Sequence, residues 1–375
     1  MVLFDRLSPS EQQALSAVAQ DPECYGILRP RDNSNLSMKS VSRDTALLLF
    51  TLQTPNPLPN YAIAALGDRL ASVIEQMVMD RILEIEAHDA MLSGPAAFEL
   101  LFGKPEAPER ESVPAALSRR ALEYAEALEI SETLVLSQRL YAYNRLPASA
   151  SWRRLWPDES SVERHLGLRN GGDHRVCDSG WVRMPSQTAL EGWTAWQSRG
   201  MRSYDAGAPA YKLYISPTCS ELGDAFQTIA EAIFQSPAFH WKVGSNLYGL
   251  LRPDKIVVHF SELADLQTTA DRLAEKLHGC SPQGVPFTAE ISPCGLLSWG
   301  LDPPVEEHVV PWLERESWRS RICNRLAAAL VVAKTSYQSE ISRSRFALER
   351  LKLEGIDTNT WAPTTTFLWS SAGAS

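Results

Sequence analysis

Three runs, Tyr211-Lys212-Leu213-Tyr214-Ile215-Ser216-Pro217, Phe239-His240-Trp241-Lys242-Val243-Gly244 and Lys255-Ile256-Val257-Val258-His259-Phe260, decide how the chain folds. Each alternates polar and apolar residues, as a strand with one buried face does. Turning Leu213, Ile215, Phe239, Trp241, Val243, Ile256, Val258 and Phe260 inward leaves Lys212, Tyr214, His240, Lys242, Lys255 and His259 opposite, with Val257 the apolar exception. Residues two apart on a strand share a face, so three lysines, two histidines and a phenol gather on one surface. The exposed face of an antiparallel sheet is ordinarily just polar and wet, and lysine also guards strand edges. What singles this face out is its sign: it is cationic, in a chain with 45 acidic against 36 basic residues and a formal net charge of −9.

That net charge argues against general nucleic-acid binding, which needs extended basic surface. A local cationic pocket in an acidic protein points to a small anionic group. The 375 residues suffice for two or three domains, and 44% hydrophobic content is ordinary for a globular chain. Six scattered cysteines (Cys24, Cys177, Cys219, Cys280, Cys294 and Cys323) form no CxxC pair, the pattern of a reduced cytoplasmic protein without a zinc site. No secretory signal and no membrane-length apolar run is evident.

Residues 1–146 read as a helical N-terminal domain, with a helix opened by Ser8-Pro9-Ser10-Glu11 and a long one over 61–91 whose stripe is Leu66, Leu70, Val73 and Met77. Another helix is expected over 115–145, and His88 reads as incidental. Residues 147–210 form a Trp-rich connector holding Trp152, Trp156, Trp181, Trp193 and Trp196. Residues 211–375 form an α+β domain: a central β-α-β-β-α-β mixed sheet with helices on one face, then a C-terminal helical tail. One-sided helices would leave the lysine-bearing face open.

No phosphate-binding glycine loop, HExxH metal motif or serine nucleophile elbow is present. A lysine set can nevertheless do chemistry unaided. A lysine whose pKa is lowered by burial and neighbouring cations can abstract a carbon-bound proton. Other lysines and arginines can hold a phosphate dianion, while a phenol or imidazole hands a proton to the departing group. Together these parts make a phosphate-eliminating lyase.

Lys212-x-Tyr214, Lys242 thirty residues after Lys212, and then Arg252 resemble the phosphothreonine lyases of bacterial type III effectors, the HopA-type proteins and the lyase domains of lanthipeptide synthetases. The resemblance covers 211–301 and extends faintly to Leu140-Tyr141-Ala142-Tyr143 and the Trp318 helix. It implies Lys242 as base, with Lys212 and Arg252 as phosphate ligands. Lys255 joins them on the same face, and Arg315, Arg319 or Arg321 would supply a second clamp. Tyr214 stands where the effectors carry a histidine acid, so the donor is Tyr214, His240 or His259. The implied function is a cofactor-free lyase acting on phosphoserine or phosphothreonine in a ribosomal precursor peptide, with a separate kinase as partner and neither nucleic acid nor membrane involved. The alternatives are a non-catalytic phosphopeptide-binding scaffold and an effector lyase acting on host phosphoproteins.

Overall fold

The structure, a computed structural model, describes all residues except 2, 17–23, 31–37, 88–89, 104–110, 169–179, 186–191, 201–209, 303–315, 335–341 and 365–375. His88, Cys177 and Arg315 thus lie outside the described residues. The described residues fall into two compact units, one within 1–107 and 328–354, the other within 108–304, 316–327 and 355–375.

The first unit is not wholly helical. Ser8 caps the helix Pro9–Ala14 through a reciprocal capping box with Glu11. Two antiparallel hairpins, Cys24–Leu28 with Lys39–Ser42 and Ile85–Ala87 with Ala90–Leu92, stand beside the helices. The helix expected over 61–91 is shorter: Asn60–Leu66 and Leu70–Met79 are joined by a 3-10 turn, and Arg81 then takes a positive φ of 59°. Leu70, Val73 and Met77 still pack with Leu48 and Ala62, so the stripe was real although its helix ended earlier. Buried Asp80 accepts from Lys39 at 2.8 Å and from Arg350, which places the C-terminal helix Arg343–Leu353 in this unit.

The second unit is built on seven strands: β1 (Trp181–Arg183), β2 (Trp193–Ser198), β3 (Tyr211–Ile215), β4 (His240–Gly244), β5 (Ile256–Phe260), β6 (Ala289–Glu290) and β7 (Leu297–Leu301). They lie in the order β6-β7-β3-β5-β4-β2-β1, and every pairing is antiparallel, so the sheet is not mixed. Its helices include α1 (Val113–Ala127), α2 (Thr133–Tyr141), α3 (Leu222–Phe234), α4 (Leu263–Lys276) and the first part of α5 (Trp318–Lys334). The single helix expected over 115–145 is α1 and α2, broken at residues 128–132.

Helices α3 and α4 cover the apolar face. Phe226, Ile229 and Ile233 meet Leu266, Ala270 and Leu273 over Leu213, Ile215, Trp241, Val243, Ile256, Val258 and Phe260, all buried. The segment 147–210 does more than connect, since it supplies β1 and β2. Trp196 pairs with Trp241 across β2 and β4 and stacks on it with centroids 4.1 Å apart, an arrangement aromatic pairs favour.

The opposite face is not left open. Trp318 lies against Gly300 of β7, and a Cβ at Gly300 would fall 2.3 Å from the indole Cδ1. The Trp318 indole donates to the Phe287 carbonyl at 3.0 Å, and its backbone N–H donates to Asp302 at 2.8 Å. Glycine is therefore required there for α5 to seat. Gly300→Ala is expected to lose roughly 1–3 kcal/mol of stability, the cost of overpacking a filled core, read as a lower thermal midpoint.

Candidate functional site

Register places the predicted residues. Lys212, His259 and His240 face one another across β3, β5 and β4; in the next row stand Tyr214, Val257 and Lys242. Lys212 and Lys242 are thus on one face, two strands and one row apart, about 12 Å between backbones at the usual strand spacing and rise.

The Lys242 ammonium lies 4.4 Å from the centre of the Trp193 ring on β2. It forms no hydrogen bond or ion pair among the described residues. Burial first, then the Lys212 and Arg252 charges, push its pKa down to about 8, against a partial pull upward from Asp254 and Asp302. Roughly one molecule in ten then carries free amine at pH 7.

Arg252 is held from behind. Its Nε and Nη2 donate to the two oxygens of Asp254 at 2.8 and 2.9 Å, and Nη2 also donates to the Tyr141 hydroxyl at 3.0 Å. Its guanidinium carbon sits 5.0 Å from the Trp193 ring centre, so one indole borders both Lys242 and Arg252. Arg319 reaches the same carboxylate at 2.7 Å and also donates to the carbonyls of Pro286 and Tyr141. Burial alone would raise the Asp254 carboxyl; Arg319 and Arg252 outweigh it and hold that group far below the usual carboxylate range. Fully buried Arg319 therefore braces the network rather than facing the pocket. Arg321, half-buried two residues on, is turned some 200° around the helix from it.

Lys212 is ion-paired with Asp302 at 2.6 Å, both side chains about one-tenth exposed. Since Asp302 also accepts from the Trp318 N–H, the first of α5, it joins the strand lysine to a helix N-terminus. Lys255 stands just before β5. Its ammonium donates to the Pro217 carbonyl at 2.8 Å and to Gln283 Oε1 at 2.5 Å, fully buried, and burial pushes its pKa down to about 8. Gln283 in turn donates to the carbonyls of Asn144 and Leu251, so Lys255 belongs to a seam at the end of the sheet.

The three possible proton donors differ. Tyr214 packs with Val257 and Val285, with Trp193 alongside, and burial and then Asp302 push its phenol well above the ordinary range. His240 and His259 face each other Nδ1 to Nδ1 at 3.0 Å, so one must accept from the other. Burial, then Lys242 and Lys212, take His240 down to about 4. Burial, then Lys212 and His240, take His259 well below its ordinary value. Both imidazoles are neutral at pH 7, and a neutral imidazole is a poor acid.

Asp254, Asp302 and Trp193 complete the site and were not singled out from sequence. Register puts Trp193 on the polar face, because Ala195 pairs with Lys242 and Trp193 stands two residues before it. No helix among the described residues is long and apolar enough to cross a membrane.

No protein-family profile and no curated protein matches the chain. In structure it is similar to bacterial effector proteins and phosphothreonine lyases. Among them are an effector from Pseudomonas syringae pv. tomato DC3000 (13% identity, TM-score 0.41, 67% of this chain and 99% of that one) and one from Pseudomonas syringae pv. syringae strain 61 (16%, 0.41, 68% and 98%). The Shigella flexneri phosphothreonine lyase OspF aligns at 15% identity and TM-score 0.28, over 34% of this chain and 75% of its own.

Proposed function

We propose that the protein is a carbon–oxygen lyase that eliminates phosphate from phosphoserine or phosphothreonine in a peptide. The observation that carries this reading is the placement of Lys242: a half-buried amine beside the Trp193 ring, without an acidic partner among the described residues, next to an arginine braced for an anion, surroundings that push its pKa down to about 8. Arg252 holds the phosphoryl group, and Lys212 adds charge nearby. Lys242 takes the Cα proton, the Cα–Cβ double bond forms, and the Cβ–O bond breaks. Phosphate leaves with a proton from Tyr214, giving dehydroalanine or dehydrobutyrine with no net oxidation. A phenol raised by burial stays protonated at neutral pH, and phosphate without that proton is itself a strong base, so the two are matched.

The resemblance carried by Lys212-x-Tyr214, Lys242 and Arg252 supplies the substrate class, a ribosomal precursor peptide of the lanthipeptide type, phosphorylated by a separate kinase. Incubating the protein with phosphorylated peptide should release phosphoric acid, seen by mass spectrometry; intact phosphopeptide at every pH would refute the lyase. The second reading, a phosphopeptide-binding scaffold, is favoured by the deep burial of Tyr214. Tight binding without turnover would select it.

The pH dependence follows from Lys242. Its folded pKa is lowered, so free base accumulates as pH rises through about 8. With kcat/KM measured on a phosphopeptide, the rate should climb about tenfold per pH unit below 8 and level off above it.

A further inference from the structure

We infer that Gln283, oriented by Lys255, is a positioning residue for the phosphate clamp: it holds the loop 251–254 so that the Arg252 guanidinium meets the phosphoryl group. This rests on Arg252 binding phosphate, as in the lyase reading, which gives Lys255 and Gln283 no task. Lys255 is fully buried, and its ammonium donates to two neutral acceptors, the Pro217 carbonyl and Gln283 Oε1. An ammonium can only donate, so the Gln283 amide must turn its oxygen to Lys255 and its nitrogen the other way. That nitrogen donates to the Leu251 carbonyl at 3.2 Å and to the Asn144 carbonyl at 2.7 Å. Leu251 directly precedes Arg252, and its carbonyl also accepts from the Leu146 N–H at 3.0 Å. On the other side of Arg252, the Pro253 carbonyl accepts from the Ser216 hydroxyl at 2.6 Å, and the Ser216 carbonyl accepts from the Gln283 N–H at 2.8 Å. The carbonyls on both sides of the clamp arginine are thus fixed, and Gln283 takes part in both fixings. Asn144 takes a φ of 65°, which asparagine tolerates, and its side chain donates to the Gln283 and Gly284 carbonyls at 2.8 and 2.9 Å. Asn144 lies three residues beyond Tyr141, whose hydroxyl accepts from Arg252. One glutamine therefore ties the backbone of the arginine to that of the phenol behind it.

Gln283→Glu keeps the size of the side chain and the oxygen facing Lys255, but a carboxylate cannot donate to Leu251 and Asn144. With a phosphopeptide substrate, its KM and the inhibition constant of inorganic phosphate should each rise about tenfold, the effect of one lost hydrogen bond, while kcat moves by less than about threefold. Lys255→Met frees the amide to turn over and should give the same split between KM and kcat. A purely structural role would lower the thermal midpoint but leave KM and the phosphate inhibition constant of the folded variants at wild-type values, and that result in either variant would overturn the inference. So would a loss confined to kcat. Should Gln283→Glu fail to fold, as judged by its circular dichroism melt, Lys255→Met decides alone, since it removes a buried charge and fills a similar volume. A wild-type protein that binds phosphopeptide without eliminating phosphate refutes the lyase reading, and the same weakening is then expected in the dissociation constants of the variants. A wild-type protein that neither binds nor eliminates refutes both.

Discussion

Lys242→Met is expected to lower the elimination rate by about 10²–10⁴, the range associated with loss of a positioned general base. The same substitution is expected to raise the thermal midpoint. A lysine whose folded pKa is about 8 binds protons less readily folded than unfolded. Stability therefore rises with pH between the folded and unfolded values and is reduced below them, where the charge must be buried. Methionine fills a similar volume on the Trp193 face without that charge. Opposite movement of activity and stability identifies a functional residue held at a cost to the fold. Two results would remove Lys242 from the base role: unchanged turnover, or a loss of turnover explained by a lower melting point. Adding an exogenous primary amine to Lys242→Ala supplies an independent check, because partial recovery requires a missing base rather than a collapsed site.

Most of the central sheet was legible because its strands alternate polar and apolar residues cleanly. Parity alone fixed which side chains of Tyr211–Ile215, His240–Gly244 and Ile256–Phe260 share a face, and the observed pairings agree. Strand β2 escaped because both its faces are apolar: Trp193 points to the pocket and Trp196 to the core, so the period of two is blurred in Trp193-Thr194-Ala195-Trp196. The closing of the polar face was equally hidden. It depends on Gly300 making room for Trp318, a contact between two residues far apart in sequence that no local pattern announces. Arg319 was identified as a clamp candidate from its position near the resembling helix. Its actual task is set by Asp254, and the two are 65 residues apart. An arginine facing a ligand and one facing a buried carboxylate look alike in sequence; burial and partner decide between them.

Asp254 is consequently where the largest loss of stability is expected. Its carboxylate is fully enclosed and receives Arg252 through two nitrogens, Arg319 at 2.7 Å and the Tyr141 hydroxyl at 3.3 Å. Asp254→Ala leaves two buried guanidinium groups facing each other without a counter-charge, and breaking a buried pair by removing one partner costs about 3–5 kcal/mol. Asp254→Asn keeps the shape and some hydrogen bonds but not the charge, so its loss should be smaller though still large. The acid limb of the stability curve separates this explanation from simple cavity formation. The folded carboxyl titrates below its unfolded value, so its contribution is complete above the unfolded pKa near 3.9 and fades as pH falls toward the folded one. Wild type and Asp254→Asn should therefore differ by a constant amount above pH 5 and converge below about pH 4 in urea unfolding. A gap that persists unchanged into acid would mean that packing, not charge, holds this corner. In phosphopeptide binding measured under conditions where the variant is folded, Asp254→Asn should also weaken affinity, because Arg252 loses the brace that keeps its guanidinium beside the Trp193 ring.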